Sequence, residues 1–366
     1  MGFGQQKFFK SFLVHITIKI PIMNNPVAIR QKILGIQYCR ALAATFVLLY
    51  HIGTTAEAYN LNSIFSLLFD YGKYGVDFFF VISGFIIFNA HYEDIGARGK
   101  CLTYAKKRFF RIYPLYLIVL TTKVLIFLGL GIPIPEHQKS LDYFLHSYLL
   151  IPMQDQYPFL SVAWTLSYEL TFYLYFLGAM LMQRNLFYAL LAIWASGIVG
   201  YNLFLAEQNP FIDHLLNAYN IQFIIGILIS ILYRRKKTFE IGIKSSMLLL
   251  GFFAVFKWVE NPLYEKGLLA CFFGTIILTC DSISRTIERS NFTFIDRILR
   301  LLGDASYSIY LVHTIIITMT YKALIPFVEV NALGFVALFA ALGAGLLSWK
   351  YVENPLLKFT KARFIS

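Results

Sequence analysis

Ten stretches of largely apolar residues recur along this chain, separated by short segments that hold most of its lysines and arginines. A helix needs about 20 such residues to cross a hydrocarbon core of about 30 Å. Inside that core the backbone must satisfy its own hydrogen bonds, so the pattern confines the chain to an all-α, polytopic bundle of transmembrane helices. The stretches run approximately 36–56, 71–90, 112–132, 163–182, 186–206, 214–233, 246–260, 266–281, 302–322 and 331–350. A soluble alternative fails on charge: Asp, Glu, Lys and Arg make up 14% of the chain, against roughly 25% in globular proteins. Disorder fails too, because 17% aromatic residues supply ample surface to bury.

The cations set the expected orientation. With the amino terminus inside, 25 of the 32 lysines and arginines fall in cytoplasmic segments, as retention of positive charge on that side requires. Both termini are therefore expected in the cytoplasm. The same distribution explains the net charge of +12: it meets anionic membrane lipid, and no nucleic-acid-binding pattern accompanies it. Residues 1–35 read as a basic cytoplasmic leader. Its apolar piece, 11–23, is too short to span and is interrupted by Lys19 and Pro21, which suits an interfacial helix. A transmembrane domain is expected over 36–355, followed by a short basic cytoplasmic tail, 356–366. The four cysteines, Cys39, Cys101, Cys271 and Cys280, have no metal-ligand spacing, so no metal site is expected.

An ionisable side chain at mid-bilayer costs about 2.5–3.5 kcal/mol on insertion scales, which makes each one a candidate site. In the first span Arg40 and His51 are eleven residues apart, which places them within about 20° of one helical face and about 16 Å apart along it. Glu169, five residues beyond the interfacial Trp164 of the fourth span, should lie at the depth of His51 and could partner its imidazole. Packing roles compete with both readings. Arg108 and Arg111 in RFFRIYP share a face at the cytoplasmic boundary, where paired guanidiniums suit a phosphorylated ligand; topology alone would also put arginines there. Pro114 is expected to mark the start of the third span. Asp77 and Ser83 in the second span and His313 in the ninth complete the polar candidates, with Ser83 and Gly84 equally suited to close helix packing. Lys123 has no assignment beyond snorkelling or a buried counter-ion role.

Together these segments resemble the bacterial acyltransferase 3 family of membrane-bound O-acyltransferases. The shared pieces are Arg40, Ala41, Ala43 and His51 of the first span, GVDFFFVISGF (75–85), RFFRIYP (108–114), WTLSYELTFY (164–173), SYSIYLVH (306–313) and VENP (352–355). Six pieces in order are specific where each alone is weak. The resemblance implies transfer of an acetyl or other short acyl group from cytosolic acyl-CoA, a substrate and no resident cofactor, to a hydroxyl of a cell-surface carbohydrate or lipid-linked glycan. It implies a stand-alone enzyme of the bacterial inner membrane. On that footing His51 is the essential histidine, Arg108 and Arg111 are the arginines associated with the CoA donor, and Arg40 matches the first-span arginine. Glu169 is the companion catalytic candidate, while Asp77, Ser83 and His313 match motif positions of less defined role. His51 could deprotonate the acceptor hydroxyl or carry the acyl group itself. The competing classes are a non-enzymatic transporter or flippase for a lipid-linked glycan, which physics alone allows but no inverted repeat supports, and the same enzyme using succinyl-CoA.

Overall fold

The apolar stretches become helices, and their polar interruptions decide where those helices meet. In a computed structural model, which describes residues 34–153, 156–205, 209–234, 261–289 and 293–365, every described element is helical. The principal helices are α1 (Leu34–Ala58), α2 (Ile64–Phe69), α3 (Gly75–His91), α4 (Cys101–Gly129), α5 (Leu141–Leu149), α6 (Trp164–Met180) and α7 (Arg184–Phe204). They continue with α8 (Pro210–Leu216), α9 (Asn220–Arg234), α10 (Pro262–Arg289), α11 (Thr293–Asp304), α12 (Ser306–Leu324), α13 (Val330–Ser348) and α14 (Asn354–Thr360).

Among the described residues, six helical segments are long and apolar enough to cross a membrane, and a seventh is obtained if α11 and α12, bent by 74° at Ala305, count as one broken span. The chain is a multi-pass membrane protein. Nine of the ten expected spans coincide with a helix, and the tenth, 246–260, lies outside the described residues, as does most of the 1–35 leader. Two of the coinciding helices fall outside the count of six or seven. α6 has 17 residues, short of the usual length, and α1 carries Gln37, Arg40 and His51, which lower its mean hydropathy. Those two helices carry Arg40, His51 and Glu169.

The third span corrects one expectation. Pro114 lies inside α4, which begins at Cys101. Proline is tolerated within a transmembrane helix because neighbouring groups can satisfy the freed carbonyl. Arg108 and Arg111 therefore stand on a continuous helix and are aimed by it. At the other end of the chain, residues 356–365 continue the helical path: Thr360 is buried, and Phe364 stacks on Phe110 of α4 with ring centroids 5.1 Å apart.

Small residues set the closest approaches. A Cβ on Gly84 of α3 would run into the Phe223 carbonyl of α9, and one on Gly226 of α9 would run into the Val81 carbonyl of α3. Each glycine thus lets the other helix's backbone in, the packing device that replaces the hydrophobic effect between helices in lipid. Because the obstructing atoms are backbone, they cannot rotate aside. Gly84→Ala is expected to cost about 1–3 kcal/mol of stability through overpacking, read as a lower thermal midpoint of the detergent-solubilised protein; an unchanged midpoint would show that α3 and α9 are not held at this distance.

Candidate active site

The face of α1 that carries Arg40 and His51 lines two separate cavities. The first, with an empty volume of about 880 Å³, is lined by Arg40, Ser83, Arg108, Arg111, Glu169 and Tyr173 among others. The second, about 1270 Å³, is lined by His51, Lys73, Asp77, Trp164, Tyr219 and Lys266 among others. Val76 and Tyr310 line both. They form a shared wall, and the Tyr310 hydroxyl is tethered there, 2.9 Å from the Val162 carbonyl and 2.8 Å from the Thr165 hydroxyl.

The two arginines of α4 are not equivalent. Arg111 donates to the carboxylate of Glu353, which is 2% exposed and accepts a second hydrogen bond, at 2.6 Å, from the Ser308 hydroxyl. Its guanidinium also lies over the Tyr307 ring, 5.2 Å from the centroid. Arg108 has no carboxylate partner among the described residues. It is held between the Tyr104 and Tyr173 rings, each 5.6 Å away, and its Nη2 donates to His91 Nε2 at 3.3 Å. His91 in turn donates from Nδ1 to Asp94 at 2.8 Å, which fixes its tautomer and leaves Nε2 free to accept. The Arg108 Nε is buried without a hydrogen-bond partner. Arg40 lies within electrostatic range of Arg111, Glu353, Asp304 and Glu169. Sequence reasoning missed Glu353 as a site residue although VENP was in view, and missed His91 and Asp94 altogether; a histidine three residues before an aspartate at a helix end is their only signal.

Glu169 does not meet His51. Its Oε1 accepts from the Ser83 hydroxyl at 3.2 Å and from the Tyr173 hydroxyl, and it faces the arginine cavity. Ser83 is accordingly a polar ligand of this carboxylate, while its neighbour Gly84 does the packing. Depth counted along separate helices does not fix which cavity a side chain faces, and that is why the expected His51–Glu169 pairing fails. Asp77 is committed elsewhere as well: it receives the Lys266 ammonium at 2.9 Å and the Gln222 amide at 2.6 Å, tying α3 to α9 and α10. Lys123 donates to the Phe159 carbonyl at 2.6 Å and sits over the Phe127 and Phe159 rings, which ties α4 to the chain at Phe159.

The companion of His51 is His313. Their ring centroids are 5.0 Å apart and the planes are inclined by 48°. A carbonyl can only accept, so the contact of His313 Nδ1 with the Ile309 carbonyl at 3.2 Å places the proton on Nδ1. Nε2 is then an acceptor, and it is buried without a hydrogen-bond partner. An imidazole at the edge of one cavity and guanidiniums in the adjoining one suit the movement of a group between an anionic carrier and a hydroxyl. Among the described residues no group of His, Cys, Asp and Glu could hold a metal ion.

A family model described as an acyltransferase domain matches residues 33–350. The chain belongs to the acyltransferase 3 family. It is an acyltransferase, and the transporter alternative gives way to that assignment. Among curated relatives, it is 29% identical to the exopolysaccharide production protein ExoZ of Rhizobium meliloti (strain 1021), over 81% of this chain and 93% of that protein. It is 25% identical to the acyltransferase MdmB of Streptomyces mycarofaciens, over 80% of this chain and 82% of that protein. No solved structure matches.

Proposed function

We propose that this acyltransferase moves an acetyl group from cytosolic acetyl-CoA to a hydroxyl of a surface polysaccharide, working as a ten-span protein of the bacterial inner membrane with both termini in the cytoplasm. The observation that carries the reading is the shared wall: a cavity bearing Arg40, Arg108 and Arg111 and a cavity bearing His51 meet at Val76 and Tyr310. The relative named for exopolysaccharide production supports the acceptor class, and the cation distribution supports the orientation.

The donor is a polyanion with a narrow thioester arm, so its phosphates belong with guanidinium groups. Arg108 carries that contact, because Arg111 is already matched by Glu353. To bring the thioester carbonyl to the second cavity the arm has to cross the wall at Val76 and Tyr310. There His51 takes the proton of the acceptor hydroxyl as its oxygen attacks the carbonyl carbon; the C–O ester bond forms, the C–S bond breaks, and the proton goes to the departing thiolate. The sum is alcohol plus thioester giving ester plus thiol.

Carbon-labelled acetyl-CoA supplied to inverted membrane vesicles tests this directly: label should appear in base-labile polysaccharide ester, and its absence from glycan in vesicles holding intact protein would overturn the reading. On the same assay Arg108→Ala is expected to raise the KM for acetyl-CoA by about tenfold or more, the loss of one or two charge-assisted hydrogen bonds, with little change in the thermal midpoint. A donor KM equal to wild type would remove Arg108 from donor binding.

A further inference from the structure

The second cavity does not end at His51. Three of its lining aromatics, Tyr157, Trp164 and Tyr219, also line a third cavity with an empty volume of about 1160 Å³. Two connections build it. The segment after α5 turns through Leu150, whose φ of 56° swings the chain away from the helix, and supplies Met153, Gln156 and Tyr157; α8 and the segment after it supply Asp213, His214 and Tyr219. Lys123 and Ser147 hold the first connection in place through the Phe159 carbonyl and amide, and the Asn220 amide holds the second through the His214 carbonyl. The aromatic residues between and beside the cavities pack on one another: Trp164 and Tyr219 centroids are 5.1 Å apart, Tyr168 and Tyr219 5.5 Å, and Tyr168 and His214 3.9 Å.

The lining chemistry selects among ligand classes. Among the described residues no lysine or arginine lines the third cavity, a lining ill suited to a phosphate or a carboxylate. Its wall sets a carboxylate, an imidazole, an amide and a hydroxyl among aromatic rings, Leu150, Ile151, Met153 and three prolines, a mixed lining in which a hydrocarbon tail would leave the polar groups unmatched. A sugar ring has the complementary form, with an apolar C–H face that lies on an aromatic ring and an edge of hydroxyls that both donate and accept. Resting on the polysaccharide acceptor proposed above, we infer that the third cavity is a second acceptor subsite, which holds the sugar ring next to the one acylated at His51. The linkage between the two rings crosses the wall of Tyr157, Trp164 and Tyr219. The enzyme therefore recognises a linked saccharide and discriminates against a single sugar.

The test uses the purified full chain in lipid nanodiscs, labelled acetyl-CoA, and the base-deacylated surface polysaccharide of the host cut into fragments of one to six rings. In the wild type, KM should fall by about tenfold between one-ring and three-ring fragments, the gain from stacking one further ring, with kcat little changed. Met153→Trp, which sets a bulky ring into the third cavity and leaves the lining of the second unchanged, should raise the three-ring KM toward the one-ring value without altering one-ring kinetics. Asp213→Asn, a shape-conserving change, should raise the KM for three-ring fragments selectively and by less. A wild-type KM independent of length overturns the subsite without reference to any variant. So does a Met153→Trp protein that keeps the length dependence. Transfer to no fragment of any length overturns the polysaccharide acceptor itself, and the subsite with it.

Discussion

Replacing His51 by alanine or glutamine is expected to lower kcat for acyl transfer by about 100- to 10,000-fold, the usual contribution of a positioned general base, with normal membrane insertion. His51 lines the second cavity and makes no ion pair among the described residues, so its removal opens no buried charge. The structural consequence should be small and the chemical one large. His313 sharpens the expectation. Its Nδ1 proton is committed to Ile309, so toward His51 it can only accept a hydrogen bond through Nε2; it cannot itself donate from that nitrogen while neutral. His313→Gln should lower kcat less than His51→Ala, because it disturbs the neighbouring ring without removing the base. The measurement is kcat in vesicles normalised to protein in the membrane fraction. A base, unlike an acyl carrier, leaves no covalent adduct, so acid quench after mixing with labelled acetyl-CoA and no acceptor should leave the protein unlabelled. Full activity in the His51 variants would return catalysis to another group.

What the sequence disclosed and what it withheld follow one physical line. Spans are written in hydropathy, a one-dimensional property, so nine of the ten apolar runs coincide with helices among the described residues, and Arg40 and His51, eleven residues apart on α1, line successive cavities. Pairings between helices are written in rotation and tilt, which a run of apolar residues does not encode. Glu169 was expected beside His51 and instead lies with Ser83 and Tyr173; Asp77, a polar candidate of less defined role, is bound to Lys266 and Gln222. Pro114 misled for a related reason, since its helix-breaking habit in water is weaker when neighbouring elements satisfy the backbone. His313 was visible as an ionisable residue in a span, but its place against His51 depends on how α1 and α12 cross.

The equal treatment of Arg108 and Arg111 is the sequence reading that the geometry changes most, and Glu353 is where the change is measurable. Glu353 is buried between the guanidinium of Arg111 and the hydroxyl of Ser308, so three helical elements, α4, α12 and the turn after α13, close on one carboxylate. Removing it leaves the half-buried Arg111 guanidinium without its counter-charge, a change that costs up to about 3–5 kcal/mol where both members are fully buried. Glu353→Ala should therefore lower the thermal midpoint sharply and deplete the protein from membranes, whereas Arg108→Ala should leave both near wild type and act on the donor KM. The double variant Glu353→Ala with Arg111→Met separates charge from shape. Replacing both members of a buried pair by apolar groups relieves the desolvation that neither could bear alone, so the double variant should recover stability relative to Glu353→Ala. If the double variant is instead no more stable than the single one, the carboxylate is not serving Arg111. If Glu353→Ala is as stable as wild type, the pair carries no stability, and Arg111 rejoins Arg108 as a group available to the donor.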